Sequence, residues 1–314
     1  MLAIIALLLS VTLSAQKRKE RPVVIPVPDA SWQPVAKQGS PSDALAVKRA
    51  ASVAHQAGQN RVTAVAGAAS AEQLLAWGAN QLVFPSALPS DDDRNYLARA
   101  CWFNGQGKPV RDILLMESRL QEPSKAAVEA LLTQQRDFDL AAAETLGRQE
   151  MREQIFQLGD AGYRVILIAP SDFWPENLLD VLLDYISGGG RVIFLGRQPL
   201  SIQRLLFRTG VVRVGDSADD IERGLSYAVT RDLRVTLGDS GDAAPGILYQ
   251  HRNDGKRDYY FVVNTDREKA VAVRMGMAVS GTIEEWDLRT GLVTRLRTPA
   301  LEIPAGGAVA VVVR

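Results

Sequence analysis

Four residues carry most of the chemistry this chain of 314 residues offers: Glu117, Asp172, Trp174 and Arg197. Each stands at or just beyond the end of a short apolar run, "DILLM", "ILIAP" or "RVIFLG". In an open α/β sheet, ligands bind outside the carboxyl ends of such strands. Carboxylates and a guanidinium there can hydrogen-bond hydroxyls, and an indole can stack on a sugar ring. The same stretch also fits plainer roles, with Ser171 or Asp172 as a helix N-cap and Trp174 as a packing residue. Nucleophilic and metal chemistry are poorly supplied. Cys101, the only cysteine, precedes Trp102 outside any strand-turn-helix elbow and reads as structural. His55 and His251 are far apart and lack HxxxH spacing, so neither a metal centre nor a cofactor is expected.

A second candidate for chemistry is "LLDYISGGGRVIFLG", where Gly188, Gly189 and Gly190 precede a β-rich run. A dinucleotide fingerprint places its glycines after a strand, where helix amides meet pyrophosphate. These glycines come after a helix and before a strand, so they read as a helix stop. No GxGxxG or GxxxxGK[ST] occurs, and nucleotide chemistry is not expected.

The elements that must position these residues fall into three groups. Residues 43–107 alternate helix and strand: "DALAVKRAASVAHQAG", "NRVTAVAG", "SAEQLLAWGAN" with Ser70 as N-cap, and "QLVFP". Residues 108–230 carry the compact apolar runs of strands buried on both faces, alternating with helices: one from Pro123 to about Gln135, one with an apolar stripe at 178, 179, 182, 183 and 186, and one opened by Ser217 and Asp220. The stretch "DFDLAAAETLGRQEMREQIFQLGDAG" reads as mostly helical in its second half. A flavodoxin-like, doubly wound parallel sheet is the expected architecture of this region. Residues 231–314 hold short β-rich runs separated by turn residues, including a hairpin at "WDLRTG", and predict a small antiparallel β-sandwich. Trp286 and the Tyr259-Tyr260-Phe261 run should build its core or edge. His251, on one of its strands, reads as a surface or packing residue.

Composition excludes several partners. Lys plus Arg and Asp plus Glu balance at 36 each, so no long-range field draws the chain to nucleic acid. The apolar run Leu2 to Leu13 is shorter than the ~20 residues of a membrane span. It fits a signal peptide over residues 1–15, implying a secreted or periplasmic protein without stable membrane insertion after cleavage, with an uncleaved anchor as the alternative. Residues 16–42, with prolines at 22, 26, 28, 34 and 41, read as a linker without helix or central strand.

Taken in order, "KRAASVAHQAGQNRVTAVAG", "AWGANQLVFP", "YLARACWFNGQGKPVRDILLM", "GYRVILIAPSDFWPENLLDVLLDYISGGGRVIFLG" and "HRNDGKRDYYFVVNTD" with "EEWDLRTGLV" resemble the last part of large bacterial glycoside hydrolases of the α-L-rhamnosidase family. The resemblance covers roughly residues 43–314. It implies the last strands of a (β/α)8 barrel, a flavodoxin-like domain similar to that of family 42 β-galactosidases, and a β-sandwich. It also implies a glutamate where this chain has Val65, and glycoside hydrolysis needs two carboxyl groups. The expectation is therefore an exported, truncated and non-catalytic relative, or an accessory module binding carbohydrate or a partner. The alternative is an active glycosidase completed by a partner chain that supplies the missing barrel.

Overall fold

In the computed structural model, residues 23–38, 40, 42–67, 69–85, 89–117, 124–143, 150–152 and 154–314 are described. The expected signal peptide lies outside them. Five short strands form a wholly parallel sheet in the spatial order Val211–Val214, Arg191–Leu195, Val165–Ile168, Ile113–Glu117 and Asp139–Ala142. Numbered along the chain, that order is 2-1-3-4-5, which puts a crossover next to the first strand. Alternation with period two divides the strand residues between two layers. Ile113, Leu115, Val165, Leu167, Ile193 and Leu195 meet the helices Lys125–Thr133 and Ala218–Ala228. Leu114, Met116, Ile166, Ile168, Val192 and Phe194 meet Glu176–Ser187 and Gln203–Leu206. Burial on both faces explains why these strands read as unbroken apolar runs.

The three glycines end the helix Glu176–Ser187. The amides of Gly188, Gly189 and Gly190 donate to Asp184, Ile186 and Tyr185 carbonyls at 3.0, 2.9 and 2.9 Å. Gly189 has φ +88°, and a Cβ on Gly190 would lie 2.4 Å from the Tyr185 ring. Backbone freedom and close packing account for both without any phosphate.

The second half of the stretch 137–162, expected to be mostly helical, is β in its described residues, and part of the first half is β as well. "DLAA" supplies the fifth strand, Asp139–Ala142, and the second half forms an antiparallel sheet of Glu150–Arg152, Ile155–Leu158 and Ala161–Tyr163. Gly159 turns the last two strands at φ +58°, and Phe156 pairs with Tyr163 across them. Phe156 meets the Tyr185 ring edge-on at 5.5 Å, so tertiary packing overrides the helix preference of this polar sequence. The helix expected from Pro123 runs over Lys125–Thr133 with Ser124 as N-cap; Pro123 lies outside the described residues.

The C-terminal strands pack as two sheets. Leu233–Leu237, Val271–Met277 and Ala300–Ile303 form one, and the other runs Val293–Arg295, Ile283–Trp286, Ala308–Val313, Asp258–Asn264, Ile247–Asn253 and Lys108–Pro109. Tyr260, Val262, Val311 and Val313 face the smaller sheet. Tyr259, Phe261, Val263 and Val312 face the other way, into a core shared with the N-terminal helices. There Trp102 stacks on Trp286 with ring centroids 6.1 Å apart, and Phe103 meets Tyr259 edge-on. The helix carrying Trp102 and Phe103, Asp91–Phe103, begins at the Ser90 cap with three aspartates in its first turn. Ahead of it lies a small parallel sheet of Val35–Ala36, Gln81–Phe84 and Thr63–Val65.

Residues 23–38 are built into this body rather than linking to it. Ile25 is buried and its amide donates to Gly291 O at 2.6 Å, while Val23 O accepts from Val293. Ala30–Trp32 forms a 3-10 turn, and the Arg61 guanidinium lies 4.6 Å over the Trp32 ring. Proline removes donors but leaves carbonyls and apolar side chains free to pack.

Candidate functional site

The four expected ligand-facing residues do not form one site. Glu117 ends its strand with a buried carboxylate whose Oε1 accepts the Ser124 amide at 2.9 Å, closing the start of helix Lys125–Thr133. Burial pushes its pKa up to about 7, against the opposing pull of that amide and of Arg49. Trp174 is 2% exposed, sits in the core beneath Glu176–Ser187 and donates its indole N–H to Gln198 Oε1 at 2.9 Å. With its ring buried it has no face for a sugar. Asp172 and Arg197 do meet, Nε to Oδ1 at 3.3 Å, but at 81% and 85% exposure. The Ser171 hydroxyl accepts the Phe173 amide and donates to the Phe173 carbonyl, a local turn rather than the helix N-cap, which is Pro175. Cys101 is buried in a helix and its thiol is pushed up to about 12 by that burial, as a structural cysteine should be.

The dense polar chemistry lies at the opposite, amino end of the parallel strands. Arg111 leads into the strand Ile113–Glu117 and holds two carboxylates at once, Asp137 through Nε at 3.0 Å and Asp139 through Nη1 at 2.6 Å. From the helix Ala44–Gln56, Lys48 pairs with Asp137, and His55 Nδ1 lies 2.5 Å from Asp139 Oδ2. Tyr163 OH donates to Asp139 at 2.8 Å, and Ser52 Oγ accepts the Leu140 amide at 3.0 Å. Burial works to raise the Asp139 pKa, but Arg111, His55 and Lys48 outweigh it and hold the carboxyl below its usual range. His55 thus joins the N-terminal helix to the parallel sheet, a contact its position in the sequence did not suggest.

Beside this network a cleft of about 830 Å³ opens between the amino ends of the strands and the sandwich. Its sheet wall carries Asp112, Arg164 and Arg191, the residues at the starts of three adjacent strands. Arg164 Nε donates to Asp112 Oδ1 at 3.0 Å, and Arg191 Nη1 donates to the Tyr227 and Ala228 carbonyls at the end of helix Ala218–Ala228. The sandwich wall is ordered by His251, buried between Asp232 Oδ1 at 3.0 Å and Asp258 Oδ1 at 2.9 Å and stacked on Tyr260 at 4.1 Å. Burial opposes a charge on His251, yet the two carboxylates raise its pKa above the ordinary value. Asp258 also accepts from Asn253 at 2.7 Å. None of these positions was singled out as ligand-facing in the sequence, because the pairs span 5 to 52 residues and follow no local motif. No group of three or more metal-binding side chains occurs among the described residues.

The chain is similar to a rhamnosidase from Novosphingobium sp. PP1Y, with 21% identity and a TM-score of 0.66 over 90% of this chain and 34% of that one. A catalytic mutant of a family 42 β-galactosidase from G. stearothermophilus aligns at 11% identity and a TM-score of 0.50, covering 77% of this chain and 49% of that one. The fold is therefore glycoside-hydrolase-like, and the chain spans about a third of the rhamnosidase and half of the β-galactosidase. No family model matches the sequence, and no curated protein matches it.

Proposed function

We propose that this chain is a non-catalytic, exported relative of α-L-rhamnosidase-type glycoside hydrolases, acting as an accessory module that binds carbohydrate or a partner. In this reading residues 43–107 correspond to the last part of a catalytic barrel, 108–230 to a flavodoxin-like domain and 231–314 to a β-sandwich. The observation that carries it is the structural likeness to the rhamnosidase across 90% of the chain, combined with Val65 at the place where the family resemblance implies a glutamate. Export rests on the apolar run from Leu2 to Leu13.

Chemistry supports the absence of catalysis. A glycosidase needs one carboxyl to protonate the leaving oxygen and another, roughly 5–9.5 Å away, to attack or activate water. The carboxylates around the cleft already have partners: Asp112 has Arg164, and Asp232 and Asp258 share His251. Glu117 could carry a proton near neutrality but is buried at the other end of the sheet. The test is hydrolysis of p-nitrophenyl α-L-rhamnoside and β-D-galactoside by the purified chain, with no release above the blank expected. Release of sugar that disappears on Glu117→Gln or Asp172→Asn substitution would overturn the proposal.

A second reading keeps catalysis but assigns it to an assembly. Among the described residues the small parallel sheet has three strands, and its edge strand Val35–Ala36 is exposed along both residues. Another chain adding strands there would extend the sheet toward a barrel. Activity that arises only on mixing with such a chain would favour it.

A further inference from the structure

We propose that the cleft between the amino ends of the parallel strands and the sandwich binds a neutral oligosaccharide, with Tyr227 as its stacking platform and Asp112, Arg164, Asp258 and Arg191 as its hydroxyl-binding groups. This deepens the accessory reading above and rests on its carbohydrate arm.

Size comes first. At about 830 Å³ the cleft falls in the range of roughly 300–1,000 Å³ typical of ligand sites, and it lies at a junction between layers, where such sites concentrate. Charge selects the ligand class. Three carboxylates, Asp112, Asp232 and Asp258, face two guanidiniums and the His251 imidazole, so positive and negative groups offset one another. A bare cation would meet Arg164 and Arg191, and a phosphate would meet the aspartates. A polyol suits both kinds of wall, since its hydroxyls donate to carboxylates and accept from guanidiniums.

Preorganisation points the same way. Arg164 holds Asp112, His251 and Asn253 hold Asp258, and helix-end carbonyls hold Arg191. The buried His251 fixes Asp258 before any ligand arrives, which lowers the entropy lost on binding there, while Arg164 and Arg191 stay exposed and open to solvent. The aromatic partner is Tyr227, 75% exposed at the end of helix Ala218–Ala228. Its ring stands between this cleft and a neighbouring one of about 420 Å³ that is lined also by Ile186 and Val212. An exposed ring flanked by fixed polar groups offers the apolar face of a sugar a surface and its hydroxyls an edge.

The experiment is calorimetric titration of the full chain with β-1,4-galactotriose and with methyl α-L-rhamnopyranoside, alongside Tyr227→Ala, Arg164→Ala and Phe173→Ala variants whose folding is checked by circular dichroism. Phe173 is an equally exposed ring at the other end of the sheet, 71% accessible, and serves as the rival platform. Binding of at least one probe, weakened about tenfold by Tyr227→Ala and also by Arg164→Ala but unchanged by Phe173→Ala, is the expected result. Binding that survives Tyr227→Ala, or is lost with Phe173→Ala, overturns the cleft while leaving carbohydrate binding intact. Failure of both probes to bind at millimolar concentration overturns the cleft and the carbohydrate arm together, leaving partner binding as the accessory role. Hydrolysis of a probe with Tyr227-dependent affinity keeps the cleft and overturns only the non-catalytic reading.

Discussion

The two ends of the parallel sheet carry the same side-chain types and put them to opposite uses. At the carboxyl end Asp172 and Arg197 pair in water, both more than four-fifths exposed. At the amino end Arg111 and Asp139 pair with neither side chain accessible, and Lys48, His55 and Tyr163 complete the contacts. In water such a pair contributes ~0–1 kcal/mol, because solvent and salt screen it and two long side chains must be immobilised. In the interior no water is at hand to replace a lost partner, so removing Asp139 leaves Arg111 with Asp137 alone and His55 with no carboxylate. What covers an end decides its energetics, and here the amino end is covered by the helix Ala44–Gln56 and the sandwich. The usual expectation for this sheet type looks to the carboxyl end, and a polar cleft of about 830 Å³ opens at the other.

Removing Asp139 tests that contrast most severely. Asp139→Ala leaves Arg111 and His55 buried without their shared carboxylate, and a loss of about 3–5 kcal/mol is expected in urea unfolding. If that variant fails to fold, Tyr163→Phe deletes one hydrogen bond to the same carboxylate and the hydroxyl that accepts from Gln56, and should cost about 1–2 kcal/mol. Because the Asp139 pKa is held low in the folded chain, its contribution is present above the ordinary value of 3.8 and is lost as pH falls through the folded value. A small loss for Asp139→Ala would mean that the buried network is not what fastens the N-terminal helix to the sheet.

His251 should give the next largest effect, with a pH signature. Its folded pKa lies above the ordinary 6.5, so its contribution is full below that value and declines as pH rises through the folded one. His251→Gln should cost about 1–2 kcal/mol at pH 5.5 and clearly less at pH 9. The quantity to compare is the difference between wild type and variant, because Glu117, with its raised pKa, tilts the stability of both proteins in the same direction. A difference constant across that interval would show that Asp232 and Asp258 do not shift the imidazole from its ordinary pKa, and one that grows with pH would show that the fold holds it neutral.

Much of this contrast was hidden in the sequence, for reasons that can be located. The runs Ile113–Glu117, Val165–Ile168 and Arg191–Leu195 were legible because burial on both faces demands continuous apolar residues. Ser70 and Ser217 were legible as caps because the partner residue is three positions away in the chain. Gly188 to Gly190 were legible because their order relative to helix and strand distinguishes a stop from a phosphate loop. His55 and Asp139 are 84 residues apart, and the edge strand that brings them together sits in an alanine-rich stretch that favours helix. The same stretch hid the hairpin around Gly159, where cross-strand packing of Phe156 and Tyr163 against Tyr185 decides the outcome. Trp174 and Asp172 are two residues apart, one buried and one exposed, a distinction set by what packs above the loop.

The smallest effect belongs to that loop, and it is as diagnostic as the largest. Asp172→Ala and Arg197→Ala, singly or together, should each move stability by no more than about 0.5 kcal/mol, and raising the salt concentration should shrink even that. Neither side chain buries a surface whose loss would add a packing cost, since both are exposed by more than four-fifths. The double substitution should therefore behave as the sum of the single ones, with a coupling close to zero in a double-mutant cycle. A coupling above about 1 kcal/mol would mean that the carboxyl end organises its charges as firmly as the amino end does. The asymmetry between the two ends would then be one of solvent exposure alone, with no matching difference in interaction strength.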